Sequence, residues 1–198
     1  MKFTIAALAL LCSLNAQATT IDFESLAVAD SAVHSQGASY TEDGYTLVDN
    51  ASSPDLQTLG TLHTYYTQST ALVKTTSYQQ STTLTNNAGS TFDLLSLDLA
   101  EWGGLPSTQV KIVGFFAAGG SISQLLTLDQ LYGFQSFAVT GFTNLLSLTI
   151  TQTTGKLYQL DNIKVVSAVP EVGTTLMLLS GLGLIGMVSR RRSSRMFS

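Results

Sequence analysis

The chain has 198 residues, of which 44% are hydrophobic and only 11% charged, and its formal net charge is −4. Residues 19–169 contain four basic and twelve acidic residues, which leaves four minus twelve, or −8, for the middle of the chain. This excludes a nucleic-acid-binding protein, which needs a basic surface, and the lack of an apolar run of about 20 residues between the chain ends excludes a polytopic membrane protein.

The N-terminus has the order of features that is typical of a secretory signal peptide. Lys2 precedes the apolar stretch 3–14, and the small residues Ala16 and Ala18 fit signal peptidase, which predicts cleavage after Ala18. A short buried helix is the alternative interpretation. Because Cys12 is the only cysteine, the mature chain would have no disulfide and no thiol chemistry.

Residues 19–168 are predicted to form one all-β domain, because their length suits a single domain and short apolar alternations replace helical periodicity. The segment 117–120, Ala-Ala-Gly-Gly, has the composition of a hairpin turn. Strands of this length, separated by turns marked with glycine, favour a β-sandwich, with a jelly roll as the preferred topology. The predicted strands cover residues 20–24, 45–48, 72–75, 82–85, 91–99, 110–116, 122–128, 137–139, 146–150 and 158–166.

Acidic residues in the first and last predicted strands form a candidate metal site. Asp22 and Glu24 lie two positions apart, so a strand would point them to the same side. Asp161 lies in the last strand, which commonly runs beside the first in sandwiches. Hard oxygen ligands suit Ca²⁺, so these three residues are candidate calcium ligands. The alternative is that they are solvated or bond the backbone at strand ends.

A second group, Asp98, Glu101 and Trp102, lies at the predicted end of the 91–99 strand, beside two glycines. An aromatic ring on a loop can stack on a sugar, and carboxylates can accept hydrogen bonds from hydroxyl groups. The three are therefore candidate ligand-binding residues, although Trp102 could instead pack over the end of the sandwich. A glycosidase needs two acids that flank a cleft, which proximity along one strand does not supply.

Segment 63–66, His-Thr-Tyr-Tyr, together with Tyr78, is aromatic and polar and has no clear periodicity. It is open to two interpretations, a binding loop or an edge strand with a tyrosine packed inward. The only histidines, His34 and His63, share no helix or hairpin spacing, so no zinc site is proposed.

The C-terminal residues 169–198 have three parts. Motif 169–173, Val-Pro-Glu-Val-Gly, comes first, and the apolar segment 174–189 follows. Together with the last two residues of the motif, this segment is just long enough to form one transmembrane helix. The tail 190–198 carries four arginines and would stay cytoplasmic, which places the middle of the chain outside.

This order resembles the PEP-CTERM sorting signal of Gram-negative bacteria. The matching residues are Pro170 and Glu171, the apolar helix, and the arginines Arg190, Arg191 and Arg192, whereas Val172 replaces the usual second proline. The resemblance implies export and a precursor anchored in the inner membrane. It also implies processing by an exosortase near Pro170, and delivery to the cell surface or the medium. A simple single-pass anchor is the alternative.

The middle of the chain is similar to the jelly-roll, galactose-binding-like ectodomains that precede such tails. The similarity rests on segments 21–24, 41–47, 115–120 and 160–163. It implies a carbohydrate module with calcium near the chain ends. We therefore expect a non-enzymatic surface protein that binds extracellular polysaccharide. The alternatives are a structural matrix or adhesion protein without a defined ligand, and a carbohydrate-active hydrolase.

Overall fold

Short runs of alternating apolar and polar residues form thirteen β-strands in the residues that the computed structural model describes, which are 18–73, 81–104, 108–154, 157–167 and Gly181. Two 3₁₀ turns, Glu24–Leu26 and Trp102–Gly104, follow β1 and β8. The strands are β1 (Ala18–Ile21), β2 (Val33–Gly37), β3 (Ser39–Glu42), β4 (Tyr45–Asp49), β5 (Leu56–Leu59), β6 (Leu72–Val73), β7 (Ser81–Asn86), β8 (Phe92–Glu101), β9 (Gln109–Phe116), β10 (Ser121–Thr127), β11 (Gln135–Ala138), β12 (Leu145–Thr154) and β13 (Tyr158–Ser167).

The strands pair antiparallel and form two sheets that share one core. The first sheet has the order β2-β5-β6-β13-β8, with β1 also beside β13 and β11 beside β8. The second has the order β10-β9-β12-β7-β4-β3, and only the pair Leu145 and Phe92 joins β12 to β8. Fully buried side chains from both sheets, such as Leu99 and Ile150, belong to the same cluster. The predicted all-β sandwich is therefore confirmed.

The first and last strands lie side by side, as the sequence predicts, since Ala18 to Ile21 pair with Val166 to Ile163. The prediction that the first strand continues through Glu24 is wrong. Phe23 adopts a left-handed backbone conformation with φ of 57° and buries its ring in the core, and a 3₁₀ turn follows. Asp22 and Glu24 are therefore not two residues on one side of a strand.

Most predicted strands from residue 45 onward are present within a few residues of their expected ends, but β2, β3 and β5 were not predicted. Residues Ala16–Ala168 form one compact unit. Among the described residues, no helix is both long and apolar enough to cross a membrane. The signal peptide up to residue 17, the sorting motif at Pro170 and Glu171, and the arginine tail lie outside the described residues.

Candidate functional site

Three aromatic side chains meet where β8 ends. The Trp102 ring centroid lies 5.3 Å from that of Tyr65 and 5.9 Å from that of His63. Tyr65 is 37% exposed, and Trp102 and His63 are half-buried. The rings are tilted by 53° and 55° to each other, and aromatic rings at such centroid distances attract one another. We call these three residues, with Tyr132 described below, the aromatic end.

The loop that carries Tyr65 is fixed to the outer face of the first sheet. Gln159 of β13 is buried, and its Nε2 donates to the Tyr65 carbonyl oxygen at 3.2 Å, while its Oε1 accepts from Thr67 at 3.3 Å. The Tyr65 amide donates to His63 Nδ1 at 3.1 Å. Because Nδ1 accepts this bond, the neutral His63 ring carries its proton on Nε2. The aromatic end is thus held in place by hydrogen bonds within the protein.

Gly103 allows Trp102 and Tyr65 to approach each other. Its φ of 73° lies in the left-handed region, and a Cβ built on it would lie 2.8 Å from Tyr65 Cε1. A glycine adopts this conformation without the steric cost that other residues incur. Gly103 therefore has a packing role at the aromatic end.

Glu101 supports a neighbouring loop. It is only 3% exposed, and its Oε1 accepts from the Gln130 amide at 2.7 Å. In the same loop Tyr132 is 56% exposed, and its hydroxyl donates to the Tyr66 carbonyl oxygen at 2.6 Å. The expectation that Glu101 contacts a ligand directly is corrected, because the carboxylate is buried and occupied by the protein's own backbone.

Asp98 has both carboxylate oxygens occupied. Its Oδ1 accepts from Ser136 at 2.6 Å and its Oδ2 from Asn162 Nδ2 at 3.0 Å. Asp98 and Glu101 are three positions apart on β8, and side chains separated by an odd number of residues point to opposite faces of a strand. These two acids therefore cannot flank one glycosidic bond in the way that a glycosidase pair does.

Glu24 and Asp161 converge on one serine. Ser69 Oγ lies 2.7 Å from Glu24 Oε1 and 2.6 Å from Asp161 Oδ2. Asp161 is fully buried, and burial raises its pKa to about 6, to which the charges of Glu24 and Asp98 contribute. A hydroxyl has one hydrogen and donates to one acceptor only. The second contact therefore requires a proton on a carboxyl group or a bound cation.

Of the three predicted calcium ligands, the structure brings together Glu24 and Asp161 and places Asp22 apart from them. The Asp22 carboxylate accepts from the Glu24 amide at 3.1 Å, and its charge contributes to the raised pKa of Glu42, for which burial is the main cause. In the described part of the chain, no group of three or more carboxylate, histidine or cysteine side chains is arranged to hold a metal ion.

The oxygen donors beside Glu24 nevertheless suit a hard cation. The Thr70 amide donates to Glu24 Oε1 at 3.0 Å, and the buried Thr70 hydroxyl has no hydrogen-bond partner among the described residues. Carboxylates, hydroxyls and backbone carbonyls are the ligands that Ca²⁺ takes. No sequence signal pointed to Ser69, which is 45 residues from Glu24 and 92 from Asp161.

Comparison with known proteins gives no family assignment, since no protein-family model and no curated protein matches the chain. Carbohydrate-binding modules are among the similar solved structures. A variant of a family 29 module has 15% identity and a TM-score of 0.44, covering 77% of this chain and 93% of the module. A family 32 module from C. perfringens NanJ in complex with galactose has 10% identity and a TM-score of 0.42, covering 64% and 98%. Values this low carry no functional weight.

Proposed function

We propose that this chain is a surface or matrix protein whose β-sandwich binds extracellular polysaccharide at the aromatic end, without catalysis. The observation that carries the proposal is the contact between Tyr65 and Trp102 on a partly exposed surface beside the exposed Tyr132. Aromatic rings with a polar tip suit a ligand that has both apolar faces and hydroxyl groups, as sugar rings do.

The polar surroundings favour a ligand with many hydroxyl groups over a charged one. Thr64 and Gln130 are exposed beside the rings and offer uncharged donors and acceptors. The middle of the chain carries a net charge of −8, which disfavours a strongly anionic partner. Neutral polysaccharides therefore form the preferred ligand class.

We further propose that Ca²⁺ binds between Glu24 and Asp161, with Ser69 as an additional oxygen ligand. A cation there would remove the need for a second proton between the two carboxylates. It would also link the turn after β1 to β13 in a mature chain that has no disulfide. Backbone carbonyls and water would supply the remaining oxygens that Ca²⁺ requires.

The export hypothesis rests on the sequence alone. Signal peptidase would remove residues 1–18, the segment 174–189 would anchor the precursor in the inner membrane, and an exosortase would cut near Pro170 and Glu171. The mature protein would then reach the cell surface or the medium of a Gram-negative bacterium.

A glycan array probed with and without a calcium chelator tests the binding proposal. We expect binding to neutral polysaccharides that weakens when the chelator is present. Binding that does not change with the chelator would contradict the calcium proposal only. No binding in either state would reject the polysaccharide function and leave the structural matrix role.

A further inference from the structure

The edges of the two sheets differ in how well they are protected against pairing with another chain. Proteins protect sheet edges with short strands, charges, prolines or bulges. In the described residues the edge strands β3 and β11 have four residues each, and β3 ends in Glu42. β2 has an irregular register between Ser35 and Gly37.

β10 lacks all of these features. Its seven residues, Ser-Ile-Ser-Gln-Leu-Leu-Thr, contain no charge, no proline and no glycine, and all seven pair with β9 without a register shift. Among the described residues β9 is the only strand that pairs with β10. Alternate backbone N–H and C=O groups of β10 therefore point away from β9 with no strand beside them.

We infer that β10 is a self-association surface, on which a second copy of this chain adds its own β10 in antiparallel orientation. The pairing would continue the six-stranded second sheet across a two-fold axis into the same sheet of the partner. A second copy suits the edge because β10 can pair with another β10 so that like residues face like residues, in the register described next.

One register, centred on Gln124, pairs all seven residues. It places Ile122 opposite Leu126 of the partner subunit, and Ser121 opposite the partner's Thr127. Ile122 and Leu126 both lie on the core side, where Leu126 is buried and Ile122 packs against the core. Gln124 faces its own copy, and opposed amide side chains can bond to each other. Each side chain thus meets one from the same face of the sheet.

Charge and exposure support the same contact. Leu125 is 52% exposed on the outer face of β10, and the residue opposite it on β9 is Lys111. In the antiparallel register the two copies of Leu125 are diagonal neighbours, within reach of each other. β10 itself has no charged side chain, so two copies paired along it place no like charges directly opposite each other.

Cysteine cross-linking in cells that produce the full chain tests this inference. In a Cys12→Ser background, Gln124→Cys should give a disulfide-linked dimer on a non-reducing gel after mild oxidation. Adding Leu125→Lys, which places a charge on the edge, should remove most of the dimer band. Adding Leu146→Lys instead should leave the band, because Leu146 is similarly exposed but lies on the central strand β12.

Two results would overturn the inference. One is the absence of a Gln124→Cys dimer while the variant is folded and present at the wild-type level. The other is a dimer band that Leu125→Lys and Leu146→Lys affect equally. A Thr41→Cys variant on β3, the opposite edge of the second sheet, is the negative control and should not cross-link. Cross-linking at Thr41 with none at Gln124 is a case of the first result, and it would place self-association at the β3 edge.

Discussion

Asp161→Asn should stabilise the protein at neutral pH when calcium is absent. In the wild type, Asp161 must ionise in a buried position beside Ser69, which already contacts Glu24. An asparagine carries no charge, and its Nδ2 can donate to Ser69 Oγ, so that the single Ser69 hydrogen goes to Glu24. The substitution loses the 3.2 Å hydrogen bond that Asn162 Nδ2 donates to the Asp161 carboxylate.

The size of the effect follows from the pKa of Asp161. Burial raises this pKa from 3.8 to about 6, and a difference of roughly two units corresponds to about 3 kcal/mol. The loss of the Asn162 contact offsets part of this, so the expected gain is about 1–2 kcal/mol, which is about 2–8 °C in Tm for a domain of this size.

The sign of the pH dependence is also fixed. Because the folded state holds the Asp161 proton more tightly than the unfolded state, the wild type should lose stability as the pH rises from about 4 to about 6. Above that pH range, the wild type should lose no further stability through Asp161. Asp161→Asn should lack this component of the pH dependence.

Thermal unfolding of both proteins between pH 4 and 8, with a chelator and with Ca²⁺, measures these effects. Ca²⁺ should raise the Tm of the wild type at pH 7.5 and leave that of Asp161→Asn nearly unchanged. Asp43→Asn, which removes an exposed acid in a tight turn, is the matched control and should behave like the wild type. A destabilised Asp161→Asn in chelator at pH 7.5 would refute the reasoning about the buried charge.

Three further predictions follow from the site and the tail. Gly103→Ala should disturb the aromatic end and change the tryptophan fluorescence. Gly89→Ala is the control and should leave the fluorescence unchanged, because Gly89 has a similar φ but open space around it. Equal spectra for the two variants would contradict the packing role of Gly103. Glu101→Gln should weaken the charge-assisted bond to Gln130 by about 1 kcal/mol and speed amide exchange in that loop, and unchanged exchange would contradict its supporting role. Deletion of residues 190–195 should leave an unprocessed precursor on a gel, so normal release would count against exosortase sorting.

The long strands could be predicted from the sequence because their alternation is strong. β9 places buried residues at alternate positions throughout, and β8, β12 and β13 each do so on both sides of an irregularity in register. The short strands β2 and β3 contain mostly polar residues, and β5 has only four residues, Leu-Gln-Thr-Leu, so all three have too little pattern of their own. Local periodicity cannot reveal such strands.

The site was predicted only in part, because its contacts are long-range. Trp102 at the end of β8 and the proximity of the first and last strands followed from the sequence. The turn at Phe23 did not, because a left-handed conformation in a phenylalanine is set by burial of its ring in the core. The bond from Ser69 to Asp161 spans 92 residues, and no local pattern carries that information.

Affinity measurement with a neutral polysaccharide from the glycan array tests the central claim most directly. Trp102→Ala should weaken binding by about fivefold or more, since a central aromatic contact usually contributes over 1 kcal/mol. Phe115→Ala removes an exposed aromatic ring from the outer face of β9, away from the aromatic end, and should bind like the wild type. Unchanged affinity in Trp102→Ala, or an equal loss in both variants, would contradict the assignment of polysaccharide binding to the aromatic end.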